Sequence, residues 1–391
     1  MRAELAGRLD ALEAEGLRRA LITVAPPAAE VAVAGRAGAV ISLASNDYLG
    51  LAGHPALAEA AAGASRELGT GAGASRLVTG NMELHEALER RLAALLGEER
   101  ALLYGSGYLA HVGTIPALMD GPDDVIYSDQ LNHASIVDGC RLSRARVRVF
   151  RHRDVDHLEQ LLAGDAGAGG RRLVVTETVF SMDGDEAPLA RICELAARFD
   201  AWMLADEAHA FGVRGPRGGG VAAELGLGGR IQVRMATLGK AAGSYGAFIA
   251  GTAELCDYLV SRSRTFIYST ALPPPVVAAA ATAVELIGGP EGERLRAALR
   301  GRAERLRDGL VELGFDVGEV PGPILPLFVG DPRKAVALGE ALLARGVLAR
   351  AMRYPTVPRG TERLRLVTSA AHAAAHIDRA LRAFEAVRGL C

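Results

Sequence analysis

Between Leu57 and Val260 short apolar runs alternate with longer amphipathic stretches. The runs Ala101–Tyr104, Asp124–Tyr127, Arg146–Phe150, Arg172–Thr176, Trp202–Ala205, Ile231–Ala236 and Ala247–Ala250 have the length and composition of strands, and stretches such as Met82–Leu96 and Leu189–Phe199 predict helices. This order predicts an α/β fold, a mostly parallel sheet with helices on both faces. Right-handed crossovers then bring the loops at the strands' carboxyl ends around one cleft. Upstream, Leu5, Leu9, Leu12 and Leu17 predict an amphipathic helix, followed by an extended segment that ends in Val40-Ile-Ser-Leu-Ala-Ser-Asn-Asp-Tyr-Leu-Gly. The three prolines at 273–275 change the regime: an Ala-rich helix, a helix over Arg294–Leu313 and then a smaller α+β pattern. With 391 residues the chain is too long for one simple core. The pattern divides it into an N-terminal segment (1–50), a large domain (51–285) and a smaller C-terminal α+β domain (286–391).

Composition narrows the class. Half the residues are hydrophobic and 23% are charged, as in soluble globular proteins. A formal net charge of -2 gives no basic surface for nucleic acid. Met1-Arg-Ala-Glu-Leu does not read as a signal peptide, and the Ala/Val-rich stretch after the prolines, broken by Thr282 and Glu285, reads as a buried helix rather than a membrane span. Cys140, Cys193, Cys256 and Cys391 lack paired spacing, which fits a reducing cytoplasm and no structural zinc. Seven of the histidines (His54, His85, His111, His152, His157, His372 and His376) show no metal-ligand spacing and read as surface or packing residues. No metal is expected.

Of the 44 basic residues only two, Lys240 and Lys334, are lysine. An arginine is never deprotonated in a protein and cannot serve as an amine nucleophile. Lys334 follows Asp331-Pro-Arg and reads as an exposed residue in the first turn of a helix. Lys240 sits in the small-residue loop Thr237-Leu-Gly-Lys-Ala-Ala-Gly-Ser after an apolar strand, and it alone is placed for chemistry.

A buried strand delivers Asp206 in Trp202-Met-Leu-Ala-Asp-Glu-Ala-His209, 34 residues before Lys240. Asp-Glu-Ala-His also occurs in helicase-type ATPases, which need G-x-x-x-x-G-K-[ST]. Here Gly239-Lys240 is followed by Ala241 and preceded by Arg234 where that motif has glycine, so the ATPase reading fails. Taken alone, Asp206 also suits a capping role. Pyridoxal phosphate (PLP), by contrast, needs a carboxylate against its ring nitrogen and a lysine to hold it, and profits from a donor such as His209 to its phenolic oxygen. Thr237 offers a hydroxyl to its phosphate, and Gly105-Ser-Gly-Tyr108 offers a helix start with free N–H groups. His133 follows another strand end and suits either stacking on a ring or capping a helix. Glu177 and Ser181 follow a further strand and suit either the site or a turn.

Together these segments resemble the α-oxoamine synthases, PLP enzymes of the aminotransferase fold (fold type I). The likeness runs over nearly the whole chain, through Ser45-Asn-Asp-Tyr-Leu-Gly-Leu, Gly69-Thr-Gly-Ala-Gly-Ala-Ser-Arg, Thr176-Glu-Thr-Val-Phe-Ser-Met-Asp-Gly-Asp, Asp206-Glu-Ala-His, Thr237-Leu-Gly-Lys, Ile267-Tyr-Ser-Thr and Arg353-Tyr-Pro-Thr-Val-Pro. It implies that Lys240 carries the cofactor, that Asp206 pairs with the ring nitrogen, that His209 and Ser181 contact the phenolic oxygen and that His133 stacks on the ring. It gives the phosphate to Gly107, Tyr108 and Thr237, with Ser269 and Thr270 of the second subunit of a homodimer. It implies that Arg353 clamps the amino-acid carboxylate, that Asn46 and Glu177 position substrate, and that Arg18 lies near the acyl-thioester entrance. The reaction it implies is a decarboxylative condensation of an amino acid with an acyl thioester. The last two segments favour L-alanine and a pimeloyl group, on CoA or a carrier protein; glycine with acetyl-CoA is the alternative. Ser75 stands where glycine-using members carry threonine, leaving room for alanine's methyl, a difference worth roughly 1–3 kcal/mol. Phe211 is bulkier than the family pattern and suits either pocket shaping or loop packing.

Overall fold

The protein is described by a computed structural model covering residues 1–26, 28–167, 169–318 and 320–390. It forms two compact units, one of His54–Ser181 with Glu186–Arg296, the other of Met1–Gly53, Met182–Asp185 and Ala297–Cys391.

The first unit is built on seven strands: β1 (Arg100–Tyr104), β2 (Val125–Asp129), β3 (Arg146–Phe150), β4 (Arg172–Glu177), β5 (Trp202–Asp206), β6 (Val233–Thr237) and β7 (Ala247–Gly251). Their spatial order is β1-β7-β6-β5-β4-β2-β3. All neighbouring pairs are parallel except β7, which runs antiparallel to both β1 and β6. Each strand expected from the apolar runs is present, with ends shifted by at most two residues. β7, Ala-Phe-Ile-Ala-Gly, is a continuous apolar run buried along its whole length, as in a sheet covered on both faces. One face packs Ala110, Ile115 and Ile136 against Leu173, Leu204 and Ile249.

Helix ends follow local chemistry. Ser106 caps Gly107–Leu118 by accepting from the Leu109 N–H (3.2 Å), and His133 caps Ala134–Leu142 through Nδ1 and the Ser135 N–H (3.2 Å). Gly97, at φ 73°, ends Glu83–Leu96 in the left-handed region.

Arg234 on β6, the residue that breaks the ATPase motif, is 2% exposed. Its guanidinium donates to the carbonyls of Leu96 (3.0 Å) and Gly219 (2.5 Å) and lies 3.3 Å from Glu207 Oε1. Glu207 in turn accepts from the N–H groups of Val221 (2.8 Å) and Ala222 (3.0 Å). The pair therefore ties the turn after β5 to β6 beneath the site.

In the second unit, Val347–Leu348 pairs in parallel with Ala39–Ser42, which joins the N-terminal segment to the C-terminal one in a single four-stranded sheet. A three-stranded sheet, Ile324–Phe328, Arg363–Val367 and Arg350–Met352, lies in the same unit. Its core packs Leu306, Leu310, Leu338, Leu366 and Phe384. The helix Pro290–Glu312 covers the stretch expected at Arg294–Leu313, and the expected break near 285 falls within the helix Pro274–Gly288. Leu5, Leu9 and Leu12 do lie on a helix, Arg2–Ala14, but Leu17 falls beyond its end and none of the helix's residues is buried. Lys334 is exposed in the first turn of Pro332–Ala344, its N–H capped by Asp331.

Removing one partner of the buried Arg234–Glu207 pair strands a charge. Arg234→Ala is expected to cost about 3–5 kcal/mol, read as a lower urea midpoint; an unchanged midpoint would show that the pair holds nothing.

Candidate active site

β4, β5 and β6 end side by side, and their last residues supply the chemistry. Register places Glu177 of β4 opposite Asp206 of β5, so two carboxylates lie next to each other at the edge of a buried sheet. They are 2% and 4% exposed. Asp206 Oδ1 accepts from the Ala208 N–H (2.8 Å). Glu177 Oε2 accepts from the Ser181 N–H (3.2 Å), which places Ser181 at the same strand end. Glu177 Oε1 is buried and has no hydrogen-bond partner among the described residues. Burial first, then the charge of Asp206, pushes the Glu177 carboxyl well above the ordinary carboxylate range. Burial also raises Asp206, opposed by the nearby charge of Lys240.

The turn after β6 carries the lysine. Thr237 Oγ1 donates to the Gly246 carbonyl (2.9 Å) and accepts from the Gly239 N–H (3.2 Å). The Leu238 N–H donates to Gly246 (2.9 Å), and the Ser244 N–H donates to Leu238 (2.9 Å). Gly246 turns at φ 104°, a conformation that a side chain would strain. The loop holds Lys240 Nζ 2.7 Å from His209 Nε2. The only lysine expected to do chemistry thus meets the imidazole that follows Asp206.

Two further strand ends border this cluster. After β1, the helix starting at Gly107 presents the first-turn amides of Gly107 and Tyr108, and Met235 packs close to Gly107. The Tyr108 hydroxyl donates to Asp138 Oδ2 (2.5 Å). After β2, His133 stands exposed at its helix start, with Nδ1 facing Ser135. Ser75 and Thr270 form a β-bridge, backed by the Ala271 N–H donating to the Ala74 carbonyl (3.0 Å), so the Gly69–Arg76 segment and the Ile267–Thr270 segment, with Ser269, are one structure. Phe211 is 2% exposed and stacks edge-on against Phe248 at 5.3 Å. It is a packing residue.

Asn46, Arg18 and Arg353 belong to the second unit. Asn46 Oδ1 accepts from Arg365 (2.9 Å) and from the Tyr48 hydroxyl (3.3 Å). The half-buried Arg353 donates to the carbonyls of Gly16 and Arg18, with the Arg18 contact at 3.3 Å. The Arg18 side chain pairs with Glu13 (3.6 Å).

Sequence reading treated His111 as a packing residue. It is fully buried on the helix Gly107–Leu118, with Nε2 3.7 Å from Asp206 Oδ2. Its four-residue spacing from Gly107 carries no metal or motif signal, and only the fold brings it to the carboxylate.

The donor set fits PLP. A buried carboxylate at a strand end, beside a second acid with one oxygen unpaired among the described residues, suits a cation such as a protonated pyridine ring. An amine against an imidazole and a helix start nearby match an aldehyde and a phosphate.

Glu177 has a testable cost. Its pKa is raised in the fold, so the native chain binds the extra proton and this contribution is intact below the unfolded pKa. It is lost as pH rises through the raised, folded value. Glu177→Gln does not titrate, so the melting temperature of the cofactor-free variant should gain on that of the wild type as pH rises above the ordinary carboxylate range, by about 1 °C for each kcal/mol released in a chain of this length. Parallel curves for the two proteins would refute the assignment.

The sequence profile of the aminotransferase class I and II family matches residues 39–384. An "8-amino-7-oxononanoate synthase" of Anaeromyxobacter sp. (strain Fw109-5) is 54% identical over 97% of this chain and 94% of its own. Among solved structures, a serine palmitoyltransferase from S. paucimobilis with bound PLP-myriocin superposes with a TM-score of 0.91 at 30% identity, covering 99% of this chain and 97% of that one. The 8-amino-7-oxononanoate synthase of Francisella tularensis superposes with a TM-score of 0.75 at 26% identity, covering 89% and 97%. The chain belongs to the class I and II aminotransferase family, in the PLP-dependent α-oxoamine synthase branch with fold type I.

Proposed function

We propose that this enzyme joins L-alanine to a pimeloyl thioester with loss of CO2, the 8-amino-7-oxononanoate synthase reaction of biotin synthesis. The observation that carries the reading is Lys240 Nζ held 2.7 Å from His209 Nε2, at the end of the strand pair that delivers Asp206. Near-full-length identity of 54% to a protein bearing that enzyme name favours this reaction over the palmitoyl transfer of a 30% identical neighbour.

Bound PLP supplies an electron sink that lets the α carbon of the amino acid give up a proton. Asp206 holds the proton on the ring nitrogen, its carboxylate kept in place by the Ala208 N–H. Lys240 Nζ takes the α proton and returns one to the product. His209 and Ser181 would hold the phenolic edge of the ring, and His133 would cover its face and supply a proton from its imidazole. Gly107 and Tyr108 offer amides, and Thr237 a hydroxyl, to the phosphate. Arg353 exchanges carbonyl acceptors for the alanine carboxylate, with Asn46 and Glu177 placing the substrate, Ser75 leaving space for its methyl and Arg18 at the thioester entrance.

The reading includes a cytoplasmic homodimer in which Ser269 and Thr270 serve the partner's phosphate. Leu77, Val78, Tyr245 and Tyr268 are 51%, 74%, 55% and 72% exposed, apolar surface of the kind a second subunit covers. Among the described residues, Cys140, Cys193 and Cys256 are buried free thiols, and no helix is long and apolar enough to cross a membrane.

Thiol release is expected with L-alanine and pimeloyl-CoA; turnover only with glycine and acetyl-CoA would move the assignment to a glycine C-acetyltransferase. Lys240→Ala should abolish turnover, and borohydride should fix PLP to the wild type alone. Arg353→Ala should raise KM for alanine by about a hundredfold; an unchanged KM would remove the clamp. Light scattering at one chain per particle would exclude the shared site.

A further inference from the structure

His111 is buried with one ring nitrogen unpaired. Its Nδ1 lies 2.9 Å from Ser135 Oγ, and the same oxygen lies 2.7 Å from His133 Nδ1. Its Nε2 has no hydrogen-bond partner among the described residues and faces Asp206 Oδ2 at 3.7 Å. A polar atom held dry and unpaired costs stability, and burial drives the pKa of this ring down to about 3, so the ring stays neutral and carries one proton.

The position of that proton follows from its neighbours. His133 Nδ1 accepts the Ser135 backbone N–H (3.2 Å), so this nitrogen carries no proton. The single hydroxyl proton of Ser135 then has two acceptors, His111 Nδ1 and His133 Nδ1. If it goes to His133, His111 donates from Nδ1 to Ser135 and turns a bare Nε2 toward Asp206. If it goes to His111, the imidazole carries its proton on Nε2, aimed at Asp206 Oδ2. An ionised Asp206 selects the second arrangement, because a lone pair facing a carboxylate is repelled and an N–H is attracted. That choice withdraws a donor from His133 Nδ1 and makes the His133 ring more basic.

We infer that His111 is a positioning residue: through Ser135 it links the charge on Asp206 to the proton affinity of His133, and its Nε2–H steadies the carboxylate against the ring nitrogen of PLP. The inference rests on Asp206 as the partner of that nitrogen. It gives this chain a reason to keep an imidazole inside the helix Gly107–Leu118.

Side-chain 15N NMR of the PLP-loaded wild type is expected to show His111 protonated at Nε2 and bare at Nδ1; the opposite tautomer overturns the inference without any variant. Titration of the apoenzyme with PLP is expected to show binding weakened on the order of tenfold by His111→Leu, the loss of an N–H aimed at a buried carboxylate. His111→Asn, which keeps an amide donor, should recover most of that loss. The visible absorbance of the bound cofactor should titrate at a different pH in His111→Leu, a change that mere loosening of the helix does not produce; circular dichroism checks that each variant is folded. If Asp206→Asn binds PLP as the wild type does, the ring-nitrogen assignment itself fails. If Asp206→Asn is impaired while both the affinity and the absorbance titration of His111→Leu match the wild type, only the role of His111 is lost.

Discussion

Two carboxylates in register at the edge of one buried sheet, Glu177 and Asp206, set the terms for everything around them. Neighbouring like charges in a dry environment raise one another's pKa, and the arrangement persists only with cations or protons supplied. The charge of Lys240, on the next strand's loop, opposes the rise at both acids. The strain of holding two acids together is the cost of a site that can keep a pyridine ring protonated.

The rest of the first unit holds those groups still. Arg234 and Glu207 sit beneath the strand ends and satisfy one another and four backbone groups, which fixes the turn after β5 relative to β6. The loop around Lys240 is closed by its own backbone bonds and by Thr237, so the amine is presented on a framework rather than on a mobile tether. The site is thus preorganised by polar groups whose partners are nearly all main-chain atoms, the cheapest way to satisfy a buried charge.

Much of this was legible in the chain. Apolar runs bounded by small residues located the inner strands of the large sheet, which are buried along most of their length, while edge strand β3, Arg146-Val-Arg-Val-Phe, shows through its β-branched residues. Lys240 stood out because arginine had replaced lysine almost everywhere else, and Asp206 and His209 because a buried strand ends at them. Less visible were the residues that act through space. Arg234 counted against an ATPase in the sequence and proved to be a structural anchor; His111 looked like packing, since nothing within its own helix marks it.

The sequence by itself determined the strand order along the chain, the candidate lysine, the cofactor class and the family, because each depends on residue types at short spacing. Only the tertiary structure decided which acids face one another, which cations relieve them and that His111 reaches Asp206. Those facts depend on strand register and on helix packing that join residues 29 to 95 apart in sequence, and no local periodicity records such distances.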